Sequence, residues 1–348
     1  MCLRTTIRFA IATAAAAASL AGCAAHGSQL APIGDPAGNG AQSLGRSPVR
    51  YSSGLVREYA PPATNGTARS WMKRFDGHRP LTYVADFFAD SVSVLDRGAN
   101  LVGFIGNLSS PNGLFVDANR NLWVANEYGN DVLEFARGAT SPKATLADPN
   151  EYPVDVTICA NGTTYVSNLF DAGPSGTGSI SVYAPGSTSP TGALTYPGQD
   201  WNYFVTRDAA GNVFTTLIGP DAIPAVVEYP GGSQSAAKNL QIPLQFPGGI
   251  KMDPAGNLLV NDQQARTVTE YTEAGAPTGK SITYGNIAND WVDIAVTRNA
   301  SVVAGADAYL AQATADTFPS GTQRQVYYVP TGPGGNMPYG IAFDPGQQ

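Results

Sequence analysis

The sequence predicts an all-β fold in which six four-stranded antiparallel sheets form a closed ring. Three observations predict it. Charged residues are few while Gly and Pro are abundant, a sequence phrase recurs at a regular spacing, and the two ends of the repeat region each hold part of the strand pattern of one sheet. Of the 348 residues, 14% are charged, 39 are Gly and 26 are Pro, whereas average domains are roughly 25% charged. This composition suits short strands and tight turns and argues against helical bundles and highly charged disordered chains.

Residues 1–22 predict a lipoprotein signal peptide. Arg4 and Arg8 precede an apolar run of 12 residues, Phe9–Leu20, which is shorter than the about 20 residues of a membrane-spanning helix. The following Leu20-Ala21-Gly22-Cys23 resembles the bacterial lipobox, in which the cysteine becomes the lipidated first residue. The resemblance implies an exported protein that is anchored to the cell envelope through Cys23. By the same resemblance, Ala24 after the cysteine favours the outer membrane, facing the periplasm or the surface. An ordinary signal peptide with an incidental cysteine is the alternative.

Residues 23–80 predict a flexible tether, and residues 81–348 predict the folded body. The segment from Ala24 to Arg50 is rich in Gly, Pro, Ala and Ser and has no sustained apolar period. Farther along, Trp71 and Met72 are candidates to pack on the body. The body itself has 11 basic and 24 acidic residues. Such an acidic surface repels phosphate backbones, so we expect no nucleic-acid partner.

From residue 81 onward the chain repeats itself. A common phrase, P-x-G-φ-x-φ-D-x-x-G-N-φ-x-V with φ an apolar residue, fits five segments, and a sixth copy holds only the first seven positions. The copies begin, with separations of 42, 49, 45, 44 and 47 residues, at Pro111, Pro153, Asn202, Pro247, Trp291 and Pro338. A period of this length predicts one structural unit per copy.

Each copy contains four strand patterns in the same order. The phrase supplies an apolar first run, a turn with Asp, Gly or Asn, and a second β-rich run. A third run alternates polar and apolar residues, as in Asp131–Phe135, which indicates one buried face. A weaker fourth run, such as Lys143–Leu146, precedes the next copy. Four antiparallel strands per copy are typical of a β-propeller blade.

The two ends of the repeat region complete one another. Residues 81–96 match the second and third strands of a copy that lacks its first strand, and Pro338–Asp344 is a first strand without a second. Joining them closes a six-bladed propeller and removes the open sheet edge. The chain resembles the NHL-repeat propellers and the related gluconolactonase superfamily. Val84-Ala85-Asp86 and Val124-Ala125-Asn126 match the V-A-D/N that ends the second strand of an NHL repeat.

The lactonase branch of this resemblance implies a metal site at one mouth of the channel, with ligands just before the Gly of the phrase. Asn112 alone has a matching side chain there, whereas calcium takes about six to eight oxygens. One position farther along, Asp155 and Asp293 come from copies three blades apart. We therefore expect them to face each other across the axis and, with Asn112, to form a candidate site for a divalent cation such as calcium. Carboxylates that only accept backbone N–H bonds are the alternative.

Aromatic residues beside carboxylates and amides, where the first strands begin, predict a ligand-binding rim. Its candidate members are Tyr152, Trp201, Tyr203, Trp291 and Tyr339. Such rings suit a glycan, peptide or protein ligand, and ordinary packing between blades is the alternative. The two histidines of the chain, His26 and His78, precede the body. This excludes a histidine-based triad or zinc site within the body.

The residues favour a non-catalytic ligand- or protein-binding module that is held at the cell envelope by its lipid anchor. No catalytic residue is assigned. A metal-dependent hydrolase or lactonase that uses the propeller channel is the first alternative. A structural subunit of an envelope assembly is the second alternative. The ligand itself is not specified by the sequence.

Overall fold

The computed structural model describes residues 69–74, 77–172, 176–285, 290–330 and 336–345. The predicted signal peptide, Cys23 and residues 24–68 of the predicted tether lie outside the described residues. The secondary structure of the described part consists of β-strands and short 3-10 turns. None of the helical segments in this part is long and apolar enough to cross a bilayer.

Six sheets make up the described part, and each blade takes its strands from one stretch of sequence, except the first. The first blade contains β1 (Trp71–Met72), β2 (Leu81–Asp86), β3 (Ser91–Asp96), β4 (Leu101–Ile105) and the last strand, β25 (Pro338–Asp344). The second blade contains β5 (Pro111–Val116), β6 (Leu122–Asn126), β7 (Asp131–Phe135) and β8 (Ala144–Ala147). The third blade contains β9 (Glu151–Ile158), β10 (Thr164–Asp171), β11 (Ser179–Tyr183) and β12 (Gly192–Leu194).

The remaining three blades follow the same plan. The fourth blade contains β13 (Trp201–Arg207), β14 (Val213–Ile218), β15 (Pro224–Tyr229) and β16 (Lys238–Asn239). The fifth blade contains β17 (Pro247–Met252), β18 (Asn257–Asp262), β19 (Thr267–Thr272) and β20 (Pro277–Thr283). The sixth blade contains β21 (Trp291–Val296), β22 (Val302–Asp307), β23 (Gln312–Thr317) and β24 (Gln323–Tyr328).

The predicted closure of the ring is confirmed. β25 pairs antiparallel with β2, with Val84 opposite Ile341, so the end of the chain supplies the inner strand of the first blade. The structure adds one strand that the repeat pattern does not contain: β1 pairs with β4, with Trp71 opposite Phe104. The first blade therefore has five strands, and the other five blades have four each.

The core lies between neighbouring blades because each strand places alternate side chains on the two faces of its sheet. One apolar cluster joins Tyr83 and Val94 of the first blade to Leu114 and Val124 of the second. Equivalent clusters fill four of the other junctions, and the junction of the fourth and fifth blades is part of a larger buried cluster. Each sheet is thus covered on both faces, which explains the nearly continuous apolar runs of the second strands.

The Asp or Asn that ends the second strand holds two loops together, and this explains why the V-A-D/N pattern recurs. Asp86 Oδ1 accepts the N–H groups of Ala89 and Met337, both at 3.0 Å. Asp262 accepts those of Gln245, Phe246 and Ala265 at 2.7 to 3.2 Å. In each case one side chain binds the turn that follows it and the loop that leads into an inner strand.

Every inner strand carries a β-bulge near its start. In β5, Pro111 is opposite Asn126 and Leu114 is opposite Val124, so that Asn112 and Gly113 share a single partner residue. Corresponding register shifts occur in the inner strands of the other five blades. A bulge redirects side chains and raises the local twist. These six bulges lie around the axis, at the positions that hold the predicted site residues.

Candidate functional site on the axis and upper face

An ion triad occupies the propeller axis. Asp155 of β9 and Asp293 of β21 come from opposite blades, and the ammonium of Lys251 on β17 lies between them. Lys251 Nζ is 3.1 Å from Asp155 Oδ2 and 3.2 Å from Asp293 Oδ1. Both carboxylates are fully buried. The structure therefore brings together the two aspartates singled out by their repeat positions, through a lysine that the sequence analysis did not select.

Each aspartate also joins two inner strands through backbone N–H groups. Asp155 accepts the N–H of Val156 at 2.9 Å and that of Val205, in the next blade, at 3.2 Å. Asp293 makes the matching bonds, with Ile294 at 2.8 Å and with Ile341 at 3.5 Å. The alternative to a metal site was that these carboxylates only accept backbone N–H bonds. The structure shows such bonds, and it shows the ion pairs with Lys251 as well.

Burial and mutual attraction act against each other in the triad. Burial raises the pKa of Asp293 to about 7, and the nearby Lys251 ammonium limits the rise. The pKa of Asp155 is also raised by burial and lowered by Lys251. For Lys251, burial favours the neutral amine, but the two carboxylates outweigh it and raise its pKa. The lysine is therefore charged near neutral pH.

Glycines let the carboxylates come this close to the neighbouring strands. A Cβ on Gly249 would lie 2.7 Å from Asp293 Oδ1, and a Cβ on Gly113 would lie 2.6 Å from Asp155 Oδ1. Both distances are far below a normal contact. The third position of the phrase is therefore Gly in the blade that precedes each aspartate, because a side chain there would occupy the space of the carboxylate.

Asn112, the third residue of the predicted metal site, has a different partner. Its Nδ2 donates to Glu127 Oε2 at 2.9 Å. Glu127 is fully buried, and burial raises its pKa to about 8 despite the bond from Asn112. Within the described ranges, no group of three or more His, Cys, Asp or Glu side chains is placed to hold a metal ion. The site formed by Asn112, Asp155 and Asp293 stays a prediction, and an ammonium lies between its two carboxylates.

The predicted aromatic rim divides into two groups. Tyr152 and Trp201 are half-buried, whereas Tyr203 and Tyr339 are each 3% exposed and Trp291 is 1% exposed. Trp291 stacks on Tyr284, with ring centres 4.1 Å apart and planes 5° apart. It therefore packs between the fifth and sixth blades rather than on an open rim. For Trp291 this is the alternative stated in the sequence analysis, ordinary packing between blades.

An aromatic cluster closes the upper face, which we define as the end of the ring that carries the loops between second and third strands and the loops between blades. Tyr339 lies against Phe87 at 4.8 Å, and Tyr203 meets Phe246 at 5.6 Å. The chain of ring contacts continues through Phe87–Tyr128, Tyr128–Tyr152 and Tyr152–Phe170. These rings belong to one large buried cluster at this mouth.

Around that cluster the upper face combines exposed apolar side chains with carboxylates. Ile223 is 61% exposed, Leu310 is 41% exposed and Tyr309 is 38% exposed. The partly or fully exposed acidic residues of this face lie in its loops or at the adjoining strand ends, and they are Asp90, Asp131, Glu151, Asp171, Asp200 and Asp221. Arg266 is the one basic residue in the described loops of this face. The sequence analysis missed these apolar residues, whose only signal is their position in turns.

The lower half of the axis contains a cavity of about 570 Å³, including its open mouth. All six inner strands line it, and Lys251 is one of the lining residues. The other lining groups include Phe115, Thr157, Thr206, Arg207 and Met252. The two ends of the propeller thus differ, because one is closed by aromatic rings and the other is open to the triad.

Neither a family model nor a curated protein sequence matches the chain. Solved structures do match it. A chain from the crystal structure of a nidogen/laminin complex gives a TM-score of 0.61 at 13% identity over 77% of this chain and 100% of that chain. A streptogramin B lyase gives 0.51 at 14% identity, with 76% and 88% covered. A calcium-binding regucalcin from Agrobacterium tumefaciens gives 0.47 at 16% identity, with 64% and 75% covered. The likenesses to the nidogen/laminin chain and to the lyase show the propeller fold, and one fold can serve different functions.

Proposed function

We propose that the chain is a lipid-anchored envelope protein whose propeller binds a cationic, partly apolar segment of a protein partner on its upper face. The observation that carries this proposal is the exposure of Ile223, Tyr309 and Leu310 among carboxylates. Apolar anchors within a charged surround are typical of protein interfaces. Because nearly all charges of this face are negative, a basic segment is the complementary partner.

The form of the upper face favours a protein over a small molecule. Small ligands bind mostly in concave pockets, whereas the rings of Tyr203, Tyr339 and Phe87 are packed into the mouth. Tyr152 and Trp201 remain half-buried beside them and add aromatic surface. The likeness to a chain from a nidogen/laminin complex supports protein binding as a use of this fold.

A channel hydrolase receives less support from the axis. A catalytic cation would need the carboxylates of Asp155 and Asp293, and the ammonium of Lys251 is already within hydrogen-bond distance of both. One of the two buried negative charges is therefore compensated without a metal ion, and the ammonium already lies between the two carboxylates. The anchor in this proposal depends on the lipobox-like residues that end at Cys23.

A peptide-binding experiment tests the proposal. Fluorescent peptides of equal length and apolar content, with either Lys or Glu as the charged residue, are titrated with the purified chain, and peptidoglycan fragments serve as competitors. We expect the Lys peptide to bind and its affinity to fall with added salt. The triple variant Ile223→Ser, Tyr309→Ser, Leu310→Ser weakens binding at least about tenfold if these residues are the anchors.

The matched control is Tyr328→Ser, which removes an exposed ring (71% exposed) from the outer strand of the sixth blade. It is expected to bind the peptide like the unmodified chain. Equal affinity for the Lys and Glu peptides, or unchanged binding by the triple variant, would contradict the proposal. Incorporation of labelled palmitate that is lost in Cys23→Ser checks the anchor separately.

A further inference from the structure

A second group of buried polar side chains lies at the upper end of the third blade, apart from the axis. Asp148, in the loop that leads into β9, is 1% exposed, and Asn168 on β10 is fully buried. Glu151 begins β9, and Ser179 and Ser181 lie on β11. Asn130 of the second blade donates to the main-chain oxygen of Glu151 at 2.5 Å. The group therefore stands at the junction of two blades.

The hydrogen-bond donors of this group are all used. Asn168 Nδ2 donates to Ser179 Oγ at 3.1 Å and to Ser181 Oγ at 2.9 Å. Ser181 Oγ then donates to Asp148 Oδ1 at 2.8 Å, and Ser179 bonds the carboxyl of Glu151. The neighbouring Tyr183 hydroxyl donates to the main-chain oxygen of Ala147 at 3.0 Å.

Three oxygen atoms are left over within this network. Asp148 Oδ2, Glu151 Oε2 and Asn168 Oδ1 are buried and have no hydrogen-bond partner. Buried polar atoms are normally paired, and each exception requires an explanation. Because the hydroxyl and amide hydrogens are spent, the three acceptors need a cation, water or additional protons, and a divalent cation also balances the charge of the two carboxylates.

In the part of the chain that the structure describes, no basic side chain is among the groups that shift the pKa of Asp148 or Glu151. Burial raises the pKa of Asp148 to about 6, and the polar side chains of Ser181, Tyr183 and Asn168 beside it act in the opposite direction. Burial raises the pKa of Glu151 to about 7, and the charged neighbours that act on it are Asp148 and Asp171, both acidic. The axial aspartates differ in this respect, since Lys251 lies between them. Buried charges are generally paired or coordinate metals.

We propose that Asp148, Glu151 and Asn168 form a binding site for a hard divalent cation, calcium in the first instance, at the junction of the second and third blades. The donor set is carboxylate and amide oxygen, with the hydroxyls of Ser179 and Ser181 adjacent, which is the chemistry that calcium prefers. Two carboxylates match the charge of the ion, and water completes its coordination. The bound ion joins the loop at Asp148 to β9 and β10.

Calcium titration of the purified, chelator-treated full chain tests the site. We expect one calcium per chain by calorimetry and a rise in melting temperature, because an ion that binds only the folded state stabilises it. Terbium provides a second readout, since Tyr183 flanks Asp148 and can sensitise its luminescence. Asp148→Asn and Asn168→Leu are expected to weaken calcium binding at least about tenfold.

Asp316→Asn is the matched control, because Asp316 is also a buried carboxyl with an unpartnered oxygen and a pKa raised by burial to about 6. It is expected to keep the full calcium response. No calcium effect at millimolar concentration would show that the three oxygens are satisfied without the ion and would overturn the proposal. A calcium response that Asp148→Asn retains but Asp293→Asn loses would place the ion on the axis and overturn it equally.

Discussion

Lys251 holds one positive charge between two carboxylates that are removed from water. Desolvation opposes all three charges, and mutual attraction offsets it only while the three groups remain in contact. Backbone N–H groups also bond the two carboxylates. Val156 and Val205 donate to Asp155, and Ile294 and Ile341 donate to Asp293. The triad thus ties the third, fifth and sixth blades together at a point where their backbones do not pair.

Lys251→Met should destabilise the chain by about 3–5 kcal/mol at pH 7, because it leaves two buried carboxylates facing each other. The pKa of each aspartate in the folded variant would be raised further above its unfolded value. A raised carboxyl pKa means that stability is lost as the pH rises, so the deficit should shrink as the pH falls toward 5. Urea unfolding of the variant and the unmodified chain between pH 5 and pH 7 measures this difference in the free energy of unfolding.

The control is Lys73→Met, because Lys73 is exposed and its ammonium donates to the main-chain oxygen of Leu101 at 3.0 Å rather than to a buried carboxylate. It should change stability by no more than about 1 kcal/mol, with little pH dependence. A Lys251→Met deficit that is equal at pH 5 and pH 7 would show that lost packing, rather than charge, is responsible.

At the residue scale, sequence reasoning predicted the facing aspartates but not the residue between them. Counting copies is sufficient to place Asp155 and Asp293 on opposite blades. The repeat phrase contains the glycine that makes room for each carboxylate, such as Gly249, but it does not specify the width of the ring, which decides whether a lysine reaches across the axis. Likewise, an aromatic residue at the start of an inner strand has two possible directions, and Trp291 turns toward the next blade.

At the scale of the strand, the residue that ends the second strand of a blade determines how its two upper loops are joined. Asp262 makes three such bonds, to Gln245, Phe246 and Ala265. The pattern V-A-D/N was recognisable in the sequence for this reason. The bulges were not, since one extra residue in a strand leaves the apolar pattern nearly unchanged over so short a run.

Asp262→Ala should destabilise the protein by about 1–3 kcal/mol. The reason is that the N–H groups of Gln245, Phe246 and Ala265 lose their acceptor in buried or partly buried surroundings. Faster amide hydrogen exchange at Gln245, Phe246 and Ala265 would locate the effect. Asp96→Ala is the control, since Asp96 accepts the exposed N–H groups of Gly98 and Asn100, which water can satisfy instead. Equal losses in the two variants would contradict this account.

At the scale of the whole molecule, the ring is closed by one strand and one ionic cluster. Asp344, at the end of β25, has a fully buried side chain. Its carboxylate accepts from Arg120 Nε at 2.6 Å and from Arg137 Nε at 2.5 Å, both in the second blade. Counting the strand patterns of the repeat copies predicted the closing strand. That Arg120 and Arg137 bind its last residue could be seen only in the structure.

Asp344→Asn should lower the free energy of unfolding by about 3 kcal/mol, because two partly buried guanidinium groups lose their counter-charge. Urea unfolding measures the loss, and proteolytic cleavage between β1 and β2 should accelerate if the closure loosens. Asp96→Asn is the control, because the Asp96 carboxylate bonds only exposed N–H groups, those of Gly98 and Asn100, and it should leave both properties nearly unchanged. Unaltered stability of Asp344→Asn would show that strand pairing alone closes the ring.

The hydrogen bond from Met337 to Asp86 spans 251 residues of sequence, which has a consequence for biogenesis. A nascent chain emerges with its N-terminus first, so β2 stays without its inner neighbour until the last segment has been synthesised. Through that interval Leu81–Asp86 offers an unpaired, apolar backbone edge, the kind of surface that invites mispairing. A factor that shields incomplete chains during synthesis would find its target there.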